Sequence, residues 1–372
     1  MTLRLAAAAA ALALAACAGP GGPKPAPLPD LPGAKAIRVL WSADAGSGGN
    51  FTFFPALTGE AIYVAARDGS VARLDPATGA RRWRIDAERQ LSGGVGADAR
   101  TVAVATEEGE VIALDADTGK VRWRARASSE VLTPPTVGAG MVLVRTIDSR
   151  IFGFDAEDGK RRWVYQRSPG SLILRVSTGV SIVGETAYAG FSGGKLVAVA
   201  LSNGAQRWET TVAVPKGANE LERVTDVVGE PALQGREVCA ATYQGRVACF
   251  EADSGKTIWA RELSSVTGVS VDARYAFVAD DRGTVHAFDR SNGASVWKQE
   301  KLANRQLSLP RVTGALVAVG DFEGEIHFLA RDSGNFVGRF SASGGAVRAA
   351  PLVLSSGLLV QTQNGGLYAL SP

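Results

Sequence analysis

The sequence predicts an all-β protein, an eight-bladed β-propeller with four-stranded antiparallel blades, and three observations support this prediction. A pattern typified by residues 108–123, EGEVIALDADTGKVRW, recurs seven times at intervals of about 40 residues. Each copy has two turn positions ten residues apart, and six copies place a tryptophan four residues after the second turn. A partial copy stands at each end of the chain. A fixed period of this length, with short apolar runs between turn glycines, is typical of propeller blades.

Each copy predicts two hairpin turns. The first turn needs a positive φ, which glycine adopts at little cost. It falls at Gly69, Gly109, Ser149, Gly194, Gly245, Gly283 and Gly324. An apolar strand follows, and an acidic residue whose carboxylate can accept bonds from turn amides then opens the second turn. These acidic residues are Asp75, Asp115, Asp155, Glu251 and Asp289, and the closing glycines are Gly79, Gly119, Gly159, Gly204, Gly255, Gly293 and Gly334. Positions that repeat in this way indicate architecture rather than catalysis.

The tryptophan that follows the second turn begins the outer strand of each blade. It is present as Trp83, Trp123, Trp163, Trp208, Trp259 and Trp297. It can lie over the small residue ten positions earlier, such as Ala113, Ala198, Cys249 or Ala287. A large aromatic ring over a small side chain would fasten one blade to the next.

The two ends of the chain together predict the eighth blade. Residues 364–371 repeat the glycine turn and the third strand, but the chain stops before an outer strand. Residues 37–41 are an apolar strand ending in Trp41 with no repeat before it. Residues 37–372 therefore form one propeller domain whose last blade is closed by the N-terminal strand, which removes the exposed sheet edge.

Composition argues against nucleic acid as a partner. The chain has 372 residues, 46% of them apolar, and a net charge of +3. This charge is small, and no long run of lysine or arginine occurs.

The first 36 residues predict export and anchoring. Residues 1–16 combine Arg4 with an apolar run too short to span a bilayer, as in an export signal. The sequence Leu14-Ala15-Ala16-Cys17 resembles the cleavage site of bacterial lipoproteins, which implies a lipidated Cys17. Ala18 implies delivery to the outer membrane. Residues 17–36 hold six prolines and four glycines, and we expect a flexible tether that lets the propeller stand off the membrane.

Two pairs of residues leave alternatives open. Cys239 and Cys249 lie on paired strands of one blade, and a two-residue turn at Gln244 and Gly245 would point their side chains to opposite faces. A three-residue turn would bring them opposite each other, and a disulfide is then possible in an oxidising compartment. We favour the reduced, packed pair. His286 and His327 occupy the same repeat position, and strand packing explains them better than a metal site.

The repeat spacing indicates where a site lies. Two of the intervals, of 45 and 51 residues, are longer than the rest, which places extra residues at 168–177 and 214–230. Insertions in a repeat array form loops, often on one binding face. The first insertion carries Leu172, Ile173, Leu174 and Arg175, a mixture of apolar residues and arginine that is typical of interface anchors.

These features together resemble the BamB family of outer-membrane protein assembly lipoproteins over essentially the whole chain. The resemblance is carried by the lipoprotein start, the eight repeats of AxDxxTGxxxW type, and the LILR stretch before a long acidic loop. It implies a non-enzymatic scaffold without a cofactor, at the periplasmic face of the outer membrane. The implied partners are the POTRA domains of BamA, indirectly the other lipoproteins of the BAM complex, and, as a further ligand, unfolded outer-membrane proteins.

The resemblance maps partner-binding positions onto Leu172, Leu174, Arg175 and Asp226. In this interpretation Asp226 pairs with a basic group of the partner, and part of the docking proceeds by strand addition. Val228 stands where the family usually has a second aspartate, and Gly338 stands where the seventh repeat should have a tryptophan. Two alternatives stay open: a quinone-cofactor (PQQ) dehydrogenase, which has the same repeat, and a propeller that binds a peptide or glycan. The chain has no adjacent pair of cysteines of the kind common in such dehydrogenases.

Replacing Cys17 by alanine tests the anchor. With the export signal retained, Cys17→Ala should leave the protein soluble or unprocessed, because no residue can then carry the acyl chains. Fractionation of outer membranes, compared with the parent protein, measures this. Undiminished outer-membrane association in a strain whose partner is depleted would contradict lipidation.

Overall fold

The computed structural model describes residues 23–168, 170, 172–175 and 178–372, and its described residues form 32 strands in eight four-stranded antiparallel sheets. Blade I comprises the strands Ala56–Thr58, Ala61–Ala65, Ser70–Leu74 and Arg81–Asp86.

 The strand that precedes blade I in the sequence, Arg38–Asp44, is the outer strand of blade VIII.

The remaining blades follow in chain order, each from its inner to its outer strand. Blades II, III and IV comprise Leu91–Ala97, Thr101–Thr106, Glu110–Asp115 and Val121–Arg126; Thr136–Gly138, Met141–Thr146, Arg150–Asp155 and Arg161–Gln166; Val180–Val183, Thr186–Phe191, Lys195–Ala200 and Gln206–Thr211. Blades V and VI comprise Val227–Gln234, Glu237–Thr242, Arg246–Glu251 and Thr257–Glu262; Ser270–Val271, Tyr275–Ala279, Val285–Asp289 and Ser295–Gln299. Blades VII and VIII comprise Arg311–Thr313, Leu316–Gly320, Glu325–Ala330 and Phe336–Ser341; Leu352–Leu354, Gly357–Gln361, Gly366–Ser371 and Arg38–Asp44.

The hydrophobic core lies between the blades. The described residues form eight buried apolar clusters, one at each junction between adjacent blades. The two middle strands of a blade are apolar on both faces, so successive side chains pack alternately against the preceding and the following blade. The cluster between blades VIII and I includes Trp41, Ile62 and Leu359 and closes the ring. The structure therefore confirms the predicted eight-bladed propeller.

Each tryptophan joins two blades. Trp123 lies opposite Ala113 in the strand pairing of its own blade, as predicted. Its ring packs against Gly159 in the second turn of the next blade, and its indole N–H donates to the carbonyl of Ala156 there, at 3.0 Å. The same pair of contacts is made by Trp41, Trp83, Trp163, Trp208, Trp259 and Trp297. A Cβ at Gly159 would lie 2.6 Å from the indole of Trp123, so only glycine leaves room for it.

The repeated acidic residues hold the second turns. The Asp115 carboxylate accepts bonds from the amide and the hydroxyl of Thr118, and these bonds lower the pKa of Asp115. Asp75, Asp155 and Asp289 accept turn amides in the same manner. These hydrogen bonds confirm the structural role predicted for the carboxylates.

The eighth blade is built from both ends of the chain. Arg38–Asp44 pairs antiparallel with Gly366–Ser371, the last strand of the sequence. This blade has no second turn, because its third strand and its outer strand come from opposite ends of the sequence. At the junction of blades VII and VIII there is consequently no second-turn glycine for an indole to pack against. Gly338 stands at the position where the other repeats have that tryptophan.

The preference for reduced cysteines is wrong. Cys239 pairs directly with Cys249 across their two strands, and the two residues form a disulfide. The turn between the strands has three residues, because Gln244 adopts a left-handed conformation with φ of 48°. The positive φ predicted for Gly245 is thus found one residue earlier. The extra turn residue shifts the register by one and brings both side chains to the same face.

The two histidines each face an aspartate at the end of the preceding strand. His286 Nε2 lies 2.9 Å from Asp280, and His327 Nε2 lies 3.0 Å from Asp321. Burial lowers the pKa of His327, although the adjacent Asp321 carboxylate opposes this change. In the described part of the chain, no group of three or more His, Cys, Asp or Glu residues is arranged to hold a metal ion.

The described part of the expected tether, residues 23–36, is hydrogen-bonded to blade VII rather than free of it. Lys35 N–H donates to the carbonyl of Val337 at 2.8 Å, and Arg339 donates to the carbonyl of Pro29 at 2.8 Å. The composition of this segment suggested flexibility, but it did not reveal these partners on a distant blade. Among the described residues, no helix is long and apolar enough to cross a membrane.

Deleting Gly366–Pro372 should test ring closure. The deletion removes a strand that pairs on both sides and buries Leu367, Ala369 and Leu370, so unfolding should become easier by several kcal/mol, as expected for roughly three buried apolar side chains. Thermal melting measures the change, with removal of Pro372 alone as the control. Equal melting temperatures for the two truncated proteins would contradict the split blade.

Candidate interaction surface

The two predicted insertions lie on the same face of the ring. They connect the outer strand of one blade to the inner strand of the next, and in an antiparallel blade all such connections reach the same face. The first loop, residues 167–179, joins blades III and IV, and the second loop, residues 212–226, joins blades IV and V. Residues 227–230, which the sequence assigned to the insertion, belong to the inner strand Val227–Gln234. We call this side of the ring the loop face.

The first loop is held from below by Asp226. Its carboxylate Oδ2 accepts the backbone N–H of Leu174 at 2.7 Å, across 52 residues of sequence. Asp226 is only 5% exposed. Burial raises the pKa of Asp226, while the amides of Leu174 and Gly193 and the charge of Arg145 oppose this change. Asp226 thus lies beneath the loop, whereas direct pairing with a basic group of a partner would need an exposed carboxylate.

A second charged side chain, the half-buried Arg145, supports the same loop from blade III. Arg145 donates to the hydroxyl of Thr178, which is 4% exposed, and stacks over the ring of Phe191 at 5.1 Å. Burial lowers the pKa of Arg145 to about 10, and the negative charge of Asp226 works against that shift. Two opposite charges, Arg145 of blade III and Asp226 just before blade V, therefore hold the loop at Thr178 and at Leu174.

The side chains of the loop point outward from these supports. Leu172 is 41% exposed, and Leu174 is half-buried. Arg175 is exposed and lies 2.7 Å from Glu130 and 3.7 Å from Glu107. The Arg175 side chain stays 56% exposed although both carboxylates pair with it, so its guanidinium can still donate to an acidic group or to carbonyls of a partner.

The second loop adds two apolar side chains that the sequence analysis did not single out. Val214 and Leu221 are 63% and 72% exposed. The loop that carries them is internally ordered, since Glu222 accepts from Ala218 N–H at 2.7 Å and Arg223 donates to Gly217 carbonyl at 3.0 Å. Apolar residues inside a long, otherwise polar insertion were the available signal. We define the loop patch as Leu172, Leu174, Arg175, Val214 and Leu221.

The loop patch combines aliphatic side chains, three of them exposed and Leu174 half-buried, with one exposed arginine. This is the chemistry of a surface that binds another protein, because apolar anchors supply burial and arginine supplies directed hydrogen bonds. The fold and the repeat define the chain as an eight-bladed propeller of the PQQ-like repeat class, with its longest loops on one face.

Comparison with known proteins identifies the family. A family model described as "Outer membrane protein assembly factor BamB" matches residues 67–299. A relative of that name from Bordetella pertussis is 47% identical over 333 residues, which cover 89% of this chain and 86% of the relative. The crystal structure of BamB from Moraxella catarrhalis superposes with a TM-score of 0.82 at 27% identity, covering 91% of this chain and 100% of that one. The chain belongs to the BamB family.

A quinohemoprotein alcohol dehydrogenase from Comamonas testosteroni is also similar in structure, with a TM-score of 0.70 at 15% identity, over 90% of this chain and 76% of that one. At this identity the similarity concerns the fold alone. The fold is therefore shared between the BamB family and an enzyme, and the residues of the surface must distinguish the two.

Substituting Asp226 tests its position beneath the loop. Asp226→Ala leaves the Leu174 amide without an acceptor and Arg145 without its nearest opposite charge, so the loop should loosen at a cost of about 1–3 kcal/mol. Hydrogen exchange of the Leu174 amide should accelerate about tenfold in this variant. The matched control is Asp281→Ala, an exposed aspartate in a hairpin of blade VI. Unchanged exchange at Leu174 would contradict the assignment.

Proposed function

We propose that the protein is a non-enzymatic scaffold lipoprotein that assists the assembly of outer-membrane proteins. Membership of the BamB family supports the assembly role, since its relatives are named outer membrane protein assembly factors. The scaffold role is supported by the repeat residues themselves. Their carboxylates accept turn amides and their indoles join adjacent blades, so the repeated groups serve the architecture.

We further propose that the loop patch docks the POTRA domains of BamA. The observation that carries this proposal is the bond from Leu174 N–H to Asp226, because it orders the very segment that exposes Leu172 and Arg175. In this proposal Leu172, Leu174 and Arg175 contact the partner, while Asp226 positions them. The Leu174 amide is already engaged, so side-chain anchoring dominates over strand addition through this segment.

The proposed location is the periplasmic face of the outer membrane, with Cys17 as the lipid anchor. Other lipoproteins of the BAM complex would then be neighbours through BamA, and unfolded outer-membrane proteins remain a further proposed ligand. Cys17 lies outside the described residues, so its support is the Leu14–Cys17 sequence. The Cys239–Cys249 disulfide is in keeping with an oxidising compartment such as the periplasm.

The double substitution Leu174→Ala with Arg175→Ala tests the docking proposal. Interface anchors of this kind typically cost about 2 kcal/mol or more when truncated, so co-purification with BamA should fall at least about tenfold. The melting temperature should stay unchanged, because both side chains leave the core intact. Affinity capture of BamA from solubilised membranes, together with thermal melting, measures both quantities.

A matched control pair is Val296→Ala with Lys298→Ala. These residues form an exposed apolar and cationic pair on the outer strand of blade VI, away from the loop face. The control should bind BamA as the parent protein does. If the Leu174/Arg175 variant also binds fully while folded, the docking proposal fails.

A further inference from the structure

Blade VII differs from the other blades in three ways, and all three differences meet the N-terminal segment. Gly338 stands where the other complete repeats have tryptophan. A Cβ at this position would lie 2.7 Å from the carbonyl oxygen of Lys35 and 3.1 Å from the side chain of Ile37. The space left by the missing indole is thus filled by the incoming chain. Ile37 packs against the apolar cluster between blades VII and VIII.

The second difference is a buried arginine. The Arg305 side chain is 3% exposed, and its Nε donates to Asp321 at 2.6 Å while a second nitrogen contacts Glu323. Its remaining Nη1 donates to the carbonyl of Ala26 at 3.1 Å. An arginine held by two carboxylates in this way presents a fixed donor to the segment.

The third difference is the backbone around Arg305. Asn304 and Gln306 both have positive φ, 60° and 47°, which is uncommon outside glycine. The same stretch makes two further hydrogen bonds with the N-terminal segment. Ala26 N–H donates to the Ala303 carbonyl at 2.8 Å, and Asn304 Nδ2 donates to the Lys24 carbonyl at 3.1 Å. Local strain of this kind persists only where surrounding contacts enforce it.

The segment itself is suited to docking. Residues 23–32 include five prolines, which have few conformations to lose and cannot pair as a regular strand. The backbone contacts run from Lys24 at the link between blades VI and VII to Lys35 at the start of the outer strand Phe336–Ser341. The segment therefore covers the outer edge of blade VII along its whole length.

The course of the segment decides where the chain leaves the propeller. Residues 303–305 belong to a connection between an outer and an inner strand, so Lys24 lies on the loop face, two blades from the second loop. Six peptide links separate Cys17 from Pro23, and they span at most about 20 Å. A blade strand of six residues is itself about 20 Å long. Such a tether is too short to pass around the blade and bring the opposite face to the membrane.

We propose that residues 24–37 form a docked strap, received by Gly338, Arg305 and Arg339, that holds the loop face toward the membrane. The orientation rests on the proposed lipidation of Cys17, whereas the docking does not. The strap also places the loop patch on the membrane-proximal side of the protein, where a membrane-embedded partner's periplasmic domains would meet it.

Hydrogen exchange of the full mature protein tests the docking. The amides of Ala26 and Lys35 should be protected in the parent protein. Gly338→Trp should fill the space of Lys35 and Ile37 and raise their exchange about tenfold or more, with the rest of the propeller still protected. Arg339→Ala should likewise raise the exchange of amides near Pro29, and it adds no bulk to the site. The controls are Gly59→Trp, at a turn with open space, and Arg282→Ala, on an exposed hairpin. Free exchange of both amides in the parent protein would overturn the strap.

Energy transfer on vesicles tests the orientation. The lipidated protein would be bound to phosphatidylethanolamine and phosphatidylglycerol vesicles carrying a headgroup acceptor dye. A donor dye would be placed through Glu220→Cys on the loop face or Gln234→Cys on the opposite face of blade V. We expect stronger transfer from position 220, and loss of the difference in Gly338→Trp. Equal or reversed transfer in the parent protein would overturn the orientation.

The outcomes separate this proposal from the proposed function. Absence of acyl chains from the mass of the mature protein would refute the anchor and the orientation together, while hydrogen exchange still decides the docking. Loss of BamA binding in the Leu174/Arg175 variant bears on the loop patch alone. A strap variant that folds, binds BamA in detergent and loses its orientation on vesicles would support both proposals independently.

Discussion

The contact between an indole and a glycine of the neighbouring blade is the interaction on which the rest of the ring depends. The blades are arranged radially around an axis, so the outer strands of neighbouring blades are farther apart than their inner strands and harder to join. Trp163 crosses that gap by packing on Gly204 and donating to the carbonyl of Leu201 at 2.7 Å. Truncating a buried aromatic side chain typically costs about 3–5 kcal/mol. Seven such contacts make each blade's position depend on its neighbour's turn.

This dependence explains why the seam between blades VII and VIII is built differently. Blade VIII has no second turn, since its third and outer strands come from opposite ends of the sequence, so a tryptophan at 338 would have no turn glycine to pack on. A different contact joins these two blades. Arg38–Asp44 completes the sheet of blade VIII, and Ile37, the residue before it, packs against the apolar cluster that blades VII and VIII share. The irregular repeat is a consequence of where the ring closes.

The sequence predicted the architecture well because the pattern repeats. Strand number, turn positions, acidic turn caps and the split blade follow from spacing alone. The partner of each tryptophan did not follow, since six of the seven repeats contain both the indole and the glycine, and spacing does not distinguish a pair within one blade from a pair across two. The cysteine register depended on whether Gln244 adopts a left-handed conformation. That conformation is rare for glutamine, so the residue type did not predict it.

The candidate site was only partly predictable, because its supports come from blades distant in sequence. Leu172, Leu174 and Arg175 were found from an insertion, but Asp226 proved to be buried beneath them. Loop length does not reveal exposure. Val214 and Leu221 were missed since a loop has no period against which an apolar residue stands out.

The placement of these supports links the site to the integrity of the ring. Arg145 comes from blade III, Asp226 precedes blade V, and the loop that they hold is rooted between blades III and IV. The two charges are opposite, and the attraction between them offsets part of the cost of burying Asp226 and of desolvating the half-buried Arg145. Their separation is set by how blades III, IV and V pack, which in turn depends on the indole contacts of Trp163 and Trp208. The first loop therefore keeps its shape only while those blades keep their spacing, and a surface formed by loops acquires the rigidity of the propeller beneath it.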